Sequence, residues 1–268
     1  MFKDFVDAHL DLTACSDLDL QNMAWFGQSG ALVTVGRRQR FLHAEEAHRW
    51  WTGQGGAAAR RLRRAGLEPW LAVGLTASQR PTRWHEDLWD VLAAALAEPD
   101  VAAVGPVTVS PREPTADTAR RLLSLAAEFD LAALLVPHPG RNFADTQVLM
   151  DLAGSCGVPP SRVIVARTDY TTLRMVVRAG ALACVSVGPD HLRADEAARM
   201  VQQFEPVVWR QLAVSSSAAT GAVDVLAIPK LLRELTLAGL APAMVRALKT
   251  ENVRRWLTRG RVGEPASE

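Results

Sequence analysis

The stretch that decides the fold is Phe5-Val6-Asp7-Ala8-His9-Leu10-Asp11-Leu12, near the start of the chain. Its polar residues alternate with apolar ones, which is typical of a β-strand. On an extended strand, Asp7, His9 and Asp11 share one face. That face is either the solvent side of an edge strand or the end of a barrel strand, where ionisable side chains hold a metal or a substrate. We expect Asp7 to bond backbone inside the barrel.

The composition indicates a sizeable α/β protein. The chain has 268 residues, of which 49% are hydrophobic and 22% charged, and its formal net charge of +1 predicts no nucleic-acid partner. No apolar run reaches the roughly 20 residues of a membrane span, and we expect neither a membrane partner nor a signal peptide. Cys15, Cys156 and Cys184 form no CxxC pair, so we expect reduced thiols and a cytoplasmic protein.

Short apolar strands alternate with helices through nearly the whole chain. We count about eight strands at the spacing of βα units, which predicts an α/β fold of the (β/α)8 TIM-barrel type, possibly distorted. A doubly wound sheet would need a glycine-rich turn after the first strand, whereas residues 12–15 read Leu-Thr-Ala-Cys. We expect a single barrel domain over residues 1–258 and a flexible tail over 259–268. Residues 44–64 read as one or two helices, interrupted at 52–56.

In a barrel, the chemistry lies at the carboxyl ends of the strands. The polar residues at the expected strand ends form a mixed set without an obvious metal cage. They are His9, Asp11, Thr76, Thr108, His138, Arg141, Asn142, Arg167, Asp169, His191, Ser215, Ser216, Ser217 and Asp224.

Several motifs resemble those of the TatD-like metal-dependent hydrolases, a TIM-barrel branch of the amidohydrolase superfamily. The first strand, DAHLD, resembles the family's D-x-H-x-H opening, and residues 134–142, LLVPHPGRN, look like the strand and loop that carry H-T-P-x-x-N. Residues 163–169, VIVARTD, stand where the family has a strand ending in Asp-His, and residues 214–229 are similar to the stretch with its last metal-binding Asp. The resemblance covers nearly the whole chain and implies a barrel hydrolase.

The departures from this pattern fall on the family's metal-binding positions. Asp11 replaces the second opening His, and Pro106 replaces the bridging Glu. His138 stands one residue beyond the expected His, and Arg167 and Ser217 replace a later His and the final Asp. Because arginine is a permanent cation, it repels a metal ion. The resemblance therefore implies a divergent member with a degraded metal site.

We accordingly expect no cofactor and no binuclear metal centre. The alternative is one divalent metal ion on His9, Asp11 and His138, as in a mononuclear hydrolase. Arg167 either replaces the lost positive charge and binds a carboxylate or phosphate, or pairs with Asp11 or Asp169.

Two functions from different classes stay open. The first is an enzyme that acts on a small, anionic organic molecule by acid–base chemistry as a hydrolase, lyase or isomerase. Its catalytic candidates are His9, Asp11, His138 and Asp169, and its substrate-binding candidates are Arg141, Asn142, Arg167, His191, Ser215 and Ser217. The second is a catalytically silent barrel that serves as a binding or assembly partner. Its candidate contact surface is Trp50, Trp51, Trp84 and Trp89. The sequence determines neither the reaction nor the oligomeric state.

Overall fold

Eight parallel strands form one sheet in sequential order, from β1 to β8. The computed structural model describes residues 3–35, 43–75, 87–109, 116–138, 140–216 and 223–258. The strands are Phe5–Asp11 (β1), Gln28–Thr34 (β2), Glu68–Val73 (β3), Val101–Val107 (β4), Ala132–Leu135 (β5), Val163–Thr168 (β6), Leu182–Ser186 (β7) and Leu212–Ser215 (β8). The sheet closes nearly completely into a barrel.

A helix follows each strand, which confirms the predicted (β/α)8 fold. These helices are Asp17–Trp25 (α1), Ala44–Arg64 (α2), Asp87–Leu96 (α3), Ala116–Glu128 (α4), Asn142–Ser155 (α5), Tyr170–Arg178 (α6), Ala194–Gln202 (α7) and Ala227–Leu237 (α8). After them come Pro242–Arg246 (α9) and Asn252–Leu257 (α10), joined by the π-helical turn Ala247–Glu251.

The barrel interior is a packed apolar core. Val6, Leu134 and Leu182 belong to it, and Val253 and Trp256 of α10 join the same cluster of buried side chains. Helix α10 thus packs against the barrel interior at the end opposite the candidate site. Because the interior is filled with side chains, a ligand site is left to the carboxyl ends of the strands, which we call the mouth.

Helix α2 is continuous, so the prediction of an interruption at residues 52–56 was wrong. Its buried residues recur along one face, and they are Ala47, Trp51, Gly55, Ala59 and Leu62. A Cβ added at Gly55 would lie 3.4 Å from Leu71 Cδ1 of β3, so this glycine lies at the contact between helix and sheet. Burial of this face outweighs the cost of about 1 kcal/mol that each glycine brings to a helix.

The tryptophans proposed as a contact surface mostly serve helix packing. Trp51 is 2% exposed, and Trp50 and Trp89 pack partly buried against the core. Among the tryptophans that the structure describes, Trp25 of α1 is exposed, at 74%. Trp84, Thr76, Ser217 and the tail 259–268 lie outside the described residues. Within the described ranges, no helix combines the length and apolar character that crossing a membrane requires.

Candidate functional site at the barrel mouth

Asp7 joins the first strand to the residue that follows the last. Its carboxylate accepts hydrogen bonds from the backbone N–H of His9 at 3.0 Å and from the backbone N–H and hydroxyl of Ser216 at 3.1 and 2.5 Å. Burial raises the pKa of Asp7 to about 6, although the hydrogen bonds from Ser216 and His9 lower it. Asp7 therefore bonds backbone inside the barrel, as we expected.

The strand that carries Asp7 is not regular. The pairing of β1 with β2 runs from Asp7–Ala31 to Leu10–Val33, so β1 has one more residue than β2 in this stretch. Such a bulge breaks the strict alternation of a strand. For this reason, period two alone does not place Asp7, His9 and Asp11 on one face.

His9 is a buried, uncharged imidazole close to a cation. Its side chain is 4% exposed. Burial, together with the charges of Arg167 and His191, lowers its pKa to about 3. At neutral pH, the imidazole is therefore neutral, and it lies within electrostatic range of Arg167 and His191.

This lowered pKa predicts how acid affects stability. Between the ordinary value of 6.5 and about 3, the unfolded chain binds a proton at residue 9 and the folded chain does not. The contribution of His9 is thus complete above pH 6.5 and is lost as the pH falls. We expect His9→Gln to make the free energy of unfolding less sensitive to acid, by up to about 1.4 kcal/mol per pH unit. Urea unfolding at pH 7, 6 and 5, followed by tryptophan fluorescence, measures this difference.

Asp7 acts in the opposite direction in part of that range. Its folded pKa of about 6 lies above the ordinary 3.8, so the folded chain binds its proton first and gains stability as the pH falls from 6 to 3.8. Since Asp7 is present in both proteins, the comparison isolates His9. His48→Gln, on the exposed side of α2, is the matched control. An identical pH dependence for wild type and His9→Gln would contradict the prediction.

Arg167 has a left-handed backbone at the end of β6, with φ at 58°. For a residue with a Cβ, this conformation costs about 1–3 kcal/mol and persists where the surroundings impose it. The carbonyl of Arg167 accepts a hydrogen bond from Asn142 Nδ2 at 2.9 Å, and the same amide donates to Asp169 Oδ2 at 2.8 Å. The first residue of α5 therefore holds the turn that carries Arg167.

The guanidinium of Arg167 lies half-buried and has no direct partner among the residues that the structure describes. Its Nε–H is buried and donates to no acceptor among the described residues, and within the described ranges the guanidinium makes neither a hydrogen bond nor an ion pair. Burial lowers its pKa, while the charges of Asp11 and Asp190 raise it in part. The interpretation that Arg167 pairs directly with Asp11 or Asp169 is therefore wrong. A desolvated donor without an acceptor is costly, and a bound anion would satisfy it.

Asp169 caps helix α6. Its Oδ1 accepts hydrogen bonds from the N–H and hydroxyl groups of Thr171 and Thr172, at 2.8–3.0 Å. Partial burial raises its pKa, but these bonds and the one from Asn142 lower it, and the net direction is downward. Its geometry is that of an N-cap, and its catalytic role stays a prediction.

The remaining predicted site residues lie around this centre in separate contacts. The backbone N–H of His138 donates to Asp145 at 3.2 Å, and Arg141 Nε lies 3.3 Å from the same carboxylate. The residues His138 and Arg141 are both exposed. Ser215 shares a hydrogen bond of 2.9 Å with Ser186 and is fully buried. The structure thus brings His9 and Asp11 within electrostatic range of Arg167, and His191 within electrostatic range of His9. The contacts given above for His138, Arg141 and Ser215 are with other residues.

Across the described parts of the chain, no group of three or more His, Cys, Asp or Glu is arranged to hold a metal ion. The mouth instead carries the guanidinium of Arg167 within electrostatic range of His9 and Asp11.

Sequence reasoning missed Asp190. It directly precedes His191 in the loop after β7, so its place at a strand end was the available signal. It also missed the contact of Asn142 with the turn at Arg167, because a hydrogen bond across 25 residues leaves no local pattern.

Eight βα units with polar side chains at the strand ends define a (β/α)8 barrel with a candidate small-molecule site. No protein-family model and no curated protein matches the chain. Solved structures do match it.

The TatD-like protein from Archaeoglobus fulgidus aligns with a TM-score of 0.74 and 17% identity, over 94% of this chain and 99% of that chain. The phosphotriesterase homology protein from Escherichia coli aligns with a TM-score of 0.71 and 12% identity, over 95% of this chain and 98% of that chain. A TatD homolog from Escherichia coli K12 aligns with a TM-score of 0.64 and 16% identity, over 94% of this chain and 97% of that chain. At these identities, the similarity shows the shared barrel fold.

Proposed function

We propose that this chain is a divergent, TatD-like barrel enzyme that binds a small anionic organic molecule at the mouth and works by acid–base chemistry without a binuclear metal centre. The observation that carries the proposal is the half-buried guanidinium of Arg167, which has no hydrogen bond or ion pair within the described residues. Arginine binds carboxylates and phosphates through two parallel hydrogen bonds. The Escherichia coli relative by fold has phosphate in its active site, which supports an anion at the mouth of such a barrel.

His9 is the residue that moves a proton. Its imidazole is neutral at pH 7, and the positive charge of Arg167 contributes to its low pKa. An anion bound to Arg167 offsets that charge and so raises the pKa of His9 toward neutrality. Substrate binding thereby makes His9 a stronger base by removing one of the causes of its low pKa, while burial, the largest cause, stays in place.

Arg167→Asn tests the proposal. Asparagine tolerates the left-handed backbone, so the variant loses the guanidinium without added strain, and we expect its stability to equal or exceed that of the wild type. Binding of propionate and of inorganic phosphate should weaken at least about 30-fold, or about 2 kcal/mol, the worth of a charge-assisted hydrogen bond. Titrations followed by calorimetry or by ligand-observed NMR measure the change. A screen of carboxylate-bearing compounds for turnover, with His9→Gln for comparison, tests the acid–base step.

Arg162 provides a matched control at the other end of the same strand. Its guanidinium is 3% exposed and donates to both carboxylate oxygens of Asp130, at 3.1 and 2.8 Å, and to the carbonyl of Thr258 at 2.6 Å. Arg162→Gln should lose about 2 kcal/mol of stability and leave anion binding unchanged. Equal anion binding by wild type and Arg167→Asn would refute the proposed site.

A catalytically silent barrel is the second candidate. The observation that favours it is an exposed apolar pair on α1, where Leu18 and Trp25 are 64% and 74% exposed and lie seven residues apart on one face. A silent barrel predicts that Arg167→Asn changes neither binding nor turnover, so the same experiment separates the two functions.

A further inference from the structure

The turn that carries Arg167 is tied to the neighbouring βα unit by the side chain of Asn142. Nδ2 of Asn142, the first residue of α5, donates to the carbonyl of Arg167 at 2.9 Å and to Asp169 Oδ2 at 2.8 Å. Thr172 Oγ1, at 3.4 Å, is a weaker third contact. A side-chain amide has two N–H donors, so both are used by the turn and by the helix that follows it. Neither donor is left for a ligand.

The orientation of this amide is fixed by its neighbours. Its Oδ1 is buried and accepts no hydrogen bond from the described residues. A buried acceptor without a donor costs free energy, but a flipped amide would place Oδ1 against the Arg167 carbonyl and the Asp169 carboxylate, which are both acceptors. Asn142 is therefore better placed to hold the turn than to contact a substrate.

Asp169 anchors the amide on its other side. Its Oδ1 accepts hydrogen bonds from the N–H and hydroxyl groups of Thr171 and Thr172 at 2.8–3.0 Å, which fixes the carboxylate at the first turn of α6. Its Oδ2 accepts the bond from Asn142. The amide of Asn142 is thus held between a helix cap and the carbonyl of Arg167.

The bond to this carbonyl matters because the backbone of Arg167 is strained. Its φ of 58° lies in the left-handed region, which a residue with a Cβ keeps only where its surroundings impose it. Without Asn142, the carbonyl loses this donor and the backbone relaxes toward negative φ. That rotation moves the Cβ and turns the guanidinium away from the position in which its Nε is buried.

We infer that Asn142 is a positioning residue of the anion site, which contacts no ligand itself and holds the Arg167 guanidinium in its binding position through the Arg167 carbonyl. This rests on the proposed function, since it presupposes that Arg167 binds an anion. It adds that the affinity for the anion depends on the fraction of molecules in which the turn is left-handed.

Asn142→Ala tests the inference with two readouts. The binding of propionate and of inorganic phosphate should weaken about tenfold, because most molecules then adopt the relaxed turn. The NMR signal of the Arg167 Nε–H should also shift or disappear. In the wild type, burial protects this proton from exchange with water, and the signal is assigned by its absence in Arg167→Asn. Asn142→Ser, which also removes the amide, takes the place of the alanine variant if that protein does not fold.

Arg162→Gln distinguishes positioning from a general loss of stability. It removes hydrogen bonds at the opposite end of β6 and should destabilise the protein to a similar degree. It should nevertheless leave both the anion binding and the Nε–H signal of Arg167 unchanged, since it does not touch the turn.

The outcomes separate the inference from the proposed function. Wild-type affinity in Asn142→Ala, with binding still dependent on Arg167, overturns the inference and leaves the anion site in place. Weaker binding with an unchanged Nε–H signal of Arg167 also overturns it, because Asn142 would then contact the anion directly. If neither propionate nor phosphate binds in a manner that depends on Arg167, the proposed function itself is wrong.

Discussion

Replacing Asp7 with alanine should destabilise the barrel by about 3 kcal/mol, since each buried donor left without its acceptor costs about 1–3 kcal/mol. Three donors lose their acceptor at once, namely the N–H of His9 and the N–H and hydroxyl of Ser216. Removal of an ionisable carboxyl whose burial raises its pKa to about 6 offsets part of this loss. Urea unfolding followed by tryptophan fluorescence measures the difference.

The effect should be large because Asp7 acts where the barrel closes. Each strand pairs with the next from β1 to β8, and no β8–β1 ladder is recorded among the strands described. The hydrogen bonds between Asp7 and Ser216 connect these two edges. Asp7→Asn keeps one acceptor oxygen and should cost about 1 kcal/mol. Asp19→Ala, at the exposed capping box of α1, is the control. Equal stabilities for Asp7→Ala and Asp7→Asn would contradict the proposed role.

Gly105→Ala should prevent stable folding, at a cost of roughly 4 kcal/mol or more. A Cβ at this position would lie 2.7 Å from the Leu134 carbonyl oxygen and 2.8 Å from Leu134 Cβ. The backbone φ of 155° also disfavours any residue with a Cβ. On the other side, Gly74 packs against Gly105, since a Cβ at Gly74 would lie 3.0 Å from its backbone. The three strands β3, β4 and β5 therefore leave no room for a methyl group.

Gly53→Ala is the matched control for this substitution. Gly53 lies in α2, and a Cβ there would meet nothing within 4 Å. We expect this variant to be stabilised by about 0.5–1 kcal/mol, because alanine has the higher helix propensity. Expression of soluble protein and thermal unfolding of both variants measure the contrast. A Gly105→Ala protein as stable as the wild type would show that the strands can separate at this point.

The sequence indicated the barrel well because its signal is local and repeated. Apolar runs of strand length, such as residues 131–136, alternate with amphipathic segments, and a parallel sheet buried on both faces requires such runs. The expectation failed at α2, where Gly53, Gly55 and Gly56 suggested a break. Local propensity was outweighed there by the buried face that α2 presents to β3.

The candidate site was predictable in its residues more than in its contacts. The strand-end rule and the family resemblance selected His9, Asp11 and Arg167. Neither could show that the Arg167 guanidinium has no direct partner among the described residues, because that depends on distances between strands β1, β6 and β7. For the same reason, the helix cap formed by Asp169 and the contribution of Asp190 followed only from the structure.

The sequence by itself determined the (β/α)8 fold and the identity of the polar residues at the strand ends, since these depend on residue type and spacing along the chain. Only the tertiary structure decided that Asp7 links β1 to Ser216 after β8, that His9 is neutral and that Arg167 is half-buried with no direct partner in the described part of the chain. The reason is physical. Burial, hydrogen bonding and charge interactions depend on groups that are distant in sequence and close in space.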